Sequence, residues 1–109
     1  MDGGNTAVWG NFYSELRRPN TLLATFKFGM LGAGVGQVLG AKIERPEAQV
    51  VGILGDGAMG FHMQELETAL REKLPVVYLV LCDKQWGMVK LTQTVALSNL
   101  RPVIGTKES

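Results

Sequence analysis

The chain has 109 residues, a length at which about 65% of the surface of the unfolded chain can be buried. We therefore expect a single domain spanning residues 1–109, because this length excludes a complete enzyme with separate cofactor and substrate domains. Eleven basic and ten acidic residues give a net charge of +1, which provides no basic field for nucleic acid. Glycine is in excess, at 14 residues of 109.

The sequence indicates a soluble protein of a reducing compartment. Its single cysteine, Cys82, ends an apolar run that starts at Val76, and we interpret it as a buried, reduced thiol in a cytoplasmic protein. The polar and acidic start of the chain does not resemble a secretory leader. The longest weakly polar stretch, 28–41, contains five glycines and is too short to cross a bilayer, so we expect no membrane association.

The first predicted element is a short amphipathic helix, Thr6–Arg18, that stops before Pro19. Its apolar residues recur at helical spacing and are Val8, Trp9, Phe12 and Leu16. A short strand is predicted next, at Thr21–Thr25.

A glycine-rich turn, Gly29–Gly36, leads into a second predicted helix that continues to Ile43 and is ended by Pro46. Three glycines recur every four residues, at Gly32, Gly36 and Gly40. This spacing places them on one helix face, so we expect that face to pack closely on a sheet.

The second half of the chain predicts a βαβ unit. A buried strand, Gln49–Leu54, is followed by a helix, Gly60–Lys73, and by a second buried strand, Val76–Cys82. Such a crossover implies a parallel sheet with a right-handed connection. From Lys90 onward the pattern is weak, and residues 106–109 add no closing element. We therefore predict a doubly wound parallel α/β sheet with helices on both faces, incomplete at its C-terminal end.

Ligands of doubly wound sheets bind beyond the carboxyl ends of the strands, where Asp56 and Asp83 follow the two predicted strands. The glycines beside Asp56 leave the backbone N–H groups of Gly57 and Ala58 accessible, which suits a phosphate. A carboxylate at the same place would repel that phosphate unless Mg²⁺ lay between them. The alternative is that Asp56 only caps a helix.

These motifs together resemble the diphosphate-binding motif of thiamine diphosphate enzymes, which runs from Gly-Asp-Gly to Asn-Asn. Two upstream segments are similar to the pyrophosphate-binding domain of the acetolactate synthase and pyruvate decarboxylase group. The resemblance covers about residues 2 to 90, through segments 2–5, 29–32, 40–42, 53–58, 65–69 and 86–88.

The resemblance implies thiamine diphosphate and Mg²⁺ as cofactors. It makes Asp56 and Asp83 side-chain ligands of the ion, and it assigns a third ligand to the backbone carbonyl of Gln85. It makes the N–H groups of Gly57 and Ala58 donors to the diphosphate. The motif residues it places at the diphosphate are Gly55, Asp56, Gly57 and Ala58.

The resemblance also implies roles at the other end of the cofactor. Leu31 falls where the family places an apolar side chain that holds the cofactor bent, and a plain core residue is the alternative. Gly29 falls where a backbone carbonyl receives the 4′-amino group of the cofactor. Asn5 falls near the substrate side of the thiazolium ring.

Two departures from the family pattern bear on function. Cys82-Asp83 stands in place of Asn-Asn, which adds a negative charge beside an anionic cofactor. The activating glutamate of the family lies on a pyrimidine-binding domain that has no counterpart in this chain, so no catalytic residue is expected here. The resemblance thus implies the cofactor-binding part of a 2-keto acid carboligase or decarboxylase, inactive alone.

Such a part would work in a homo- or hetero-oligomer with a pyrimidine-binding domain or subunit, on a small 2-keto acid or aldehyde.

Two alternative functions belong to other classes of protein: a phosphatase of the haloacid dehalogenase type and an inactive assembly module. The phosphatase motif requires Asn-Asp soon after Gly-Asp-Gly, where this chain has Met59-Gly60. His62 has no second histidine or cysteine nearby in sequence, so we interpret it as an ordinary helix residue.

Overall fold

A computed structural model describes residues 1–24 and 26–97 and confirms the α/β class, with a parallel sheet and helices. A 3₁₀ turn, Lys27–Gly29, precedes the second helix. The elements in chain order are α1 (Gly4–Tyr13), α2 (Ala33–Glu44), β1 (Val51–Gly55), α3 (Asp56–His62), α4 (Glu65–Arg71), β2 (Val77–Leu81) and α5 (Gly87–Leu97).

The sheet confirms the predicted parallel crossover. Strands β1 and β2 pair in parallel, with Val51 opposite Val77, and α3 and α4 connect them. Asp2 extends the sheet on the other side of β1 by a parallel bridge to Leu54. Its N–H donates to the Ile53 carbonyl at 2.9 Å. The start of the chain is therefore fixed beside the carboxyl end of β1.

Helices pack on opposite faces of β1. A Cβ placed on Gly52 would lie 2.7 Å from Val38 of α2, and a Cβ placed on Gly55 would lie 3.3 Å from Thr6 Oγ1 of α1. Residues three apart in a strand point to opposite faces, so α2 covers one face and α1 the other. The small core between sheet and helices contains Val35, Leu54 and Ala58.

The N-terminus of α2 is capped from outside the helix. Its N-cap is Gly32, at φ 93°, and the buried Asp2 carboxylate accepts the Gly34 N–H at 2.8 Å. A carboxylate at this position also interacts favourably with the helix dipole.

The predicted glycine stripe is wrong as a packing face, because a Cβ on Gly36 or Gly40 would meet nothing within 4 Å. Close approaches occur instead at Gly32, whose added Cβ would lie 2.6 Å from the Phe61 Cβ of α3, and at Gly34, whose added Cβ would lie 2.5 Å from the Asp2 Cβ.

Strand β2 is not buried on both faces, contrary to the prediction. Its outward side chains Val77, Leu79 and Leu81 are exposed, because no described element covers them fully. Tyr78 points the other way and donates its hydroxyl to the Val35 carbonyl at 2.9 Å. Val80 lies on the same side as Tyr78 and is also exposed, so the described elements cover neither face of β2 fully.

The N-terminal predictions are corrected in two places. Helix α1 ends at Tyr13, five residues before the predicted end at Arg18, because Ser14 has an extended backbone. The residues after Ser14 are exposed, so no packing supports a longer helix. The predicted strand at Thr21–Thr25 is not formed at residues 21–24, since no described strand pairs with them. Thr25 itself lies outside the described residues.

The predicted helix Gly60–Lys73 is two helices. The first of them begins at Asp56, and a break at Met63 and Gln64 separates α3 from α4. At this break the carbonyls of Met63 and Gln64 accept the N–H groups of Leu66 and Glu67, three residues further on, which is the tighter pattern of a 3₁₀ turn. Helix α5 is not among the predicted elements, although Met88, Leu91 and Val95 recur in it at helical spacing. The predicted open tail, residues 106–109, lies outside the described residues. None of the described helices is long and apolar enough to cross a membrane.

Candidate functional site

A cavity of about 670 Å³ opens at the carboxyl ends of β1 and β2. Its walls come from the start of α1, the turn before α2, the β1–α3 junction and the loop between β2 and α5. The structure brings all of the predicted site residues to this one cavity: Asn5, Gly29, Leu31, Gly55, Asp56, Gly57, Ala58, Asp83 and Gln85.

Asp56 connects the two strand ends. Its Oδ2 accepts the backbone N–H of Lys84 at 3.0 Å and the thiol of Cys82 at 3.4 Å, and its Oδ1 accepts the Gly57 N–H at 3.0 Å. The prediction of a buried Cys82 is wrong, because the side chain is exposed and lines the cavity. It lies one residue past the end of β2, where the chain leaves the sheet.

Asp83 is held within its own loop and lies close to the start of α1. Its Oδ1 accepts the Gln85 N–H at 3.2 Å. A Cβ placed on Gly87 would lie 2.9 Å from Asp83 Oδ2 and 3.1 Å from Asn5 Nδ2. The absence of a side chain at residue 87 therefore allows these two polar groups to approach the same point of the backbone.

The donor set of this edge fits a hard cation. Asp56 and Asp83 supply carboxylate oxygens and Gln85 supplies a backbone carbonyl, and Mg²⁺ prefers oxygen ligands of this kind. Among the described residues no group of three or more His, Cys, Asp or Glu side chains forms a metal cluster. An ion held here would complete its shell with phosphate oxygens and water, which Mg²⁺ commonly does.

The predicted diphosphate position lies under an aromatic side chain. A Cβ placed on Gly57 would lie 2.6 Å from Nε1 of Trp86, so only glycine fits there without displacing the indole. Trp86 stacks on Phe61 of α3, with ring centroids 6.0 Å apart and an interplanar angle of 28°. The stack closes one side of the cavity over the backbone of Gly57.

Leu31 has both of the environments predicted for it. It packs against the core of Val35, Leu54 and Ala58, and it also lines the cavity. Gly29 precedes it at φ 58°, a left-handed conformation that glycine adopts without strain. The core therefore supports Leu31 from behind while part of the side chain faces the cavity.

Several cavity residues are not among the predicted site residues. Trp9 lies four residues after Asn5, a helical spacing that places both on one face of α1 and could have identified it. Phe26 lies in a loop and carried no periodic signal. The lining residues of this kind are Trp9, Phe26, Met30, Trp86 and Met88.

Comparison with known proteins assigns the family. The profile of the family described as thiamine pyrophosphate enzyme, C-terminal TPP binding domain, matches residues 2–103. The chain belongs to this family of thiamine diphosphate-dependent enzymes. The match favours this family over the haloacid dehalogenase-type phosphatase.

The relatives are much longer than this chain. It is 37% identical over 99 residues to 2-hydroxyacyl-CoA lyase 2 of Mus musculus, covering 91% of this chain and 16% of the relative. It is 36% identical over 108 residues to sulfoacetaldehyde acetyltransferase of Alcaligenes xylosoxydans xylosoxydans, covering 99% and 18%. It is 36% identical over 92 residues to acetolactate synthase of Bacillus subtilis (strain 168), covering 84% and 16%.

Proposed function

We propose that this chain binds thiamine diphosphate together with Mg²⁺ in the cavity, as the cofactor-binding part of a 2-keto acid carboligase or decarboxylase of the acetolactate synthase type. The observation that carries the proposal is the convergence of all predicted site residues, from four separate stretches of sequence, on one cavity. Family membership supports the cofactor, and the oxygen donors at the strand ends support the ion.

At the diphosphate end, the carboxylates of Asp56 and Asp83 and the carbonyl of Gln85 hold the ion, which neutralises part of the phosphate charge. The Gly57 N–H, which donates to Asp56 Oδ1, would be one donor to the phosphate oxygens. The Ala58 N–H is the second donor. The bound cofactor supplies the chemistry, since its thiazolium ring stabilises negative charge on the carbon of a carbonyl substrate.

At the other end, this chain shapes the cofactor. The Leu31 side chain, supported by the core, would hold the cofactor bent. The Gly29 carbonyl would receive the 4′-amino group, and Asn5 would lie near the substrate side of the thiazolium ring.

A second domain or subunit completes the site. The cavity rim is apolar and open: Trp9, Phe26, Met30 and Met88 line it and are exposed. An exposed apolar rim of this kind is typical of an interaction surface. We propose that it receives a pyrimidine-binding domain of the same or another chain, in an oligomer.

The substrate class follows from the family and from what the cavity lacks. In the described part of the chain no His, Glu, Lys or Arg lines the cavity, so the ionisable side chains that this part offers there are the Cys82 thiol and the two aspartates assigned to the ion. The activating glutamate comes from the partner, and the substrate is a small 2-keto acid or aldehyde. The chain by itself is therefore catalytically inactive.

A melting experiment tests the proposal. Thiamine diphosphate with Mg²⁺ raises the melting temperature of the full chain, because a ligand that binds only the folded state stabilises it by an amount that grows with the logarithm of the ligand concentration above Kd. Thiamine without phosphate produces no comparable shift, since the anchor is the ion and the diphosphate. A chain kept only as an assembly module would show no shift with either ligand.

A further inference from the structure

The turn that carries Leu31 is held from two sides. On the sheet side, the buried Asp2 carboxylate accepts the N–H of Gly34 at 2.8 Å. On the other side, Nδ1 of His62, the last residue of α3, lies 3.2 Å from the carbonyl oxygen of Gly32. A carbonyl oxygen can only accept, so this contact requires the proton on Nδ1. His62 is an exposed residue of α3, and its ring adds a contact with the turn that the sequence did not predict.

The contact between His62 and the turn is also a close packing contact. A Cβ placed on Gly32 would lie 2.6 Å from His62 Nδ1 and 2.6 Å from the Cβ of Phe61. Gly32 adopts φ 93°, a conformation that favours glycine. The backbone of the turn at Gly32 therefore packs directly against the side chain of His62, so that a shift of His62 would move the turn.

Helix α3 joins this contact to the metal end of the cavity. It begins at Asp56 and ends at His62, a rise of about 9 Å along the axis. The Phe61–Trp86 stack ties the same helix end to the loop after β2. The C-terminal end of α3 therefore contacts both the turn that carries Leu31 and the loop that carries Asp83 and Gln85.

We propose that His62 is a positioning residue for the cofactor. Through the Gly32 carbonyl its Nδ1–H holds Leu31 at a fixed distance from Asp56, so that the thiamine part of the ligand binds in its bent shape while the diphosphate end is held independently. This inference rests on the proposed function. His62 is not among the residues that line the cavity, so its effect on the ligand passes through the turn.

Two ligands separate the ends of the cavity. Inorganic pyrophosphate with Mg²⁺ probes the diphosphate end alone, and thiamine diphosphate with Mg²⁺ probes both ends. In calorimetric titrations of the full chain, His62→Leu weakens thiamine diphosphate about three- to tenfold, the loss expected for one hydrogen bond, and leaves pyrophosphate unchanged. His62→Gln restores the affinity because its amide N–H can donate to Gly32. Gln64→Leu, an exposed change at the same helix junction, is the matched control.

The outcomes are distinct. A parent chain that binds neither ligand overturns the proposed function and this inference with it. A parent that binds both, with His62→Leu lowering both affinities equally or neither, overturns the inference alone. Hydrogen exchange without ligand gives a second readout: in His62→Leu the amides of residues 29–34 exchange faster, and unchanged exchange contradicts the proposal. If His62→Leu does not fold, His62→Ala is judged by the same affinity ratio.

Discussion

The carboxylate of Asp56 accepts the backbone N–H of Lys84 at 3.0 Å, so a side chain at the end of β1 fixes the loop that follows β2. Lys84 adopts φ 60°, a left-handed conformation that costs a residue with a side chain about 1 kcal/mol. A hydrogen bond to a charged acceptor contributes about 1.5 to 3 kcal/mol when protected from solvent, and less at this exposed position. The proposed metal ligand therefore also shapes the loop that carries the other two, Asp83 and Gln85.

Asp83 adds a negative charge where the family motif has asparagine, and Asp83→Asn tests its effect. At an effective dielectric constant of about 20, a like charge about 5 Å from a phosphate costs on the order of 3 kcal/mol. Exposure of Asp83 and a stronger metal–carboxylate bond reduce this penalty. We expect Asp83→Asn to bind thiamine diphosphate about tenfold more tightly at fixed Mg²⁺, measured by calorimetry. The Asn side-chain oxygen can still accept the Gln85 N–H, so the loop is preserved, and equal or weaker binding would show that this charge does not act on the phosphates.

Two glycines of α3 give a matched pair of substitutions. At Gly57 an added Cβ would lie 2.6 Å from Trp86 Nε1, whereas at Gly60 it would meet nothing within 4 Å. Gly60→Ala should stabilise the chain by about 0.5 to 1 kcal/mol through helix propensity. Gly57→Ala should displace Trp86 and so lose the stabilisation expected from helix propensity. It should also change the fluorescence emission of the Trp86 indole, recorded in a Trp9→Phe background. The same stabilisation in both variants, with unchanged emission, would contradict the position assigned to Trp86.

The βαβ unit and the cavity edge could be predicted because their signals are local. Two apolar runs, each followed by an aspartate, define the strand ends, and the topology of a parallel crossover then brings Asp56 and Asp83 to the same edge. The structure places both strands within two residues of the predicted bounds. Their roles as metal ligands remain predictions.

The environments of Cys82 and His62 could not be predicted, because they depend on contacts between distant segments. Cys82 belongs to an apolar run, but the chain leaves the sheet one residue before it, and its thiol meets Asp56, 26 residues away. His62 meets a turn 30 residues away. The sequence shows the residue types but not these contacts. The contact of Cys82 depends on where β2 ends beside β1, and that of His62 depends on how α3 packs against the turn before α2.

The free energy of unfolding should depend on pH through the hydroxyl of Tyr78. Burial, with a smaller contribution from the Glu65 carboxylate, raises the pKa of the Tyr78 hydroxyl. A raised pKa means that the folded chain retains this proton more strongly than the unfolded chain. The contribution of Tyr78 to the free energy of unfolding is therefore fully present below about pH 10, the ordinary pKa of a tyrosine. It is lost as the pH rises through the raised pKa of the folded chain.

Tyr78→Phe should lower the free energy of unfolding by about 0.5 to 1.5 kcal/mol near neutral pH, because the Val35 carbonyl loses its donor. The difference between parent and variant should shrink above about pH 10. Tyr13→Phe, at an exposed tyrosine, is the control and should change neither quantity. Urea unfolding at several pH values measures this, and a difference that grows with pH would contradict the assigned direction.

The full chain, purified free of other enzymes, should be inactive on pyruvate with thiamine diphosphate and Mg²⁺ present. In the part of the chain that the structure describes, the cavity has no glutamate, and its rim is open. Adding a pyrimidine-binding domain in trans should be required for product formation. Steady turnover by the chain alone, followed by pyruvate consumption, would contradict the assignment of the activating group to a partner.

The Mg²⁺-dependent role of Asp56 is tested most directly by calorimetric titration of thiamine diphosphate into the parent and Asp56→Asn. The Asn side chain retains an oxygen acceptor for the Lys84 N–H but removes the charge that holds the ion, so the fold should be kept and the affinity should fall more than about tenfold. Glu47→Gln removes an exposed carboxylate away from the cavity and should bind like the parent. We predict that parent binding disappears when Mg²⁺ is chelated. Equal binding by parent and Asp56→Asn, or binding unaffected by chelation, would contradict a magnesium-anchored diphosphate at Asp56.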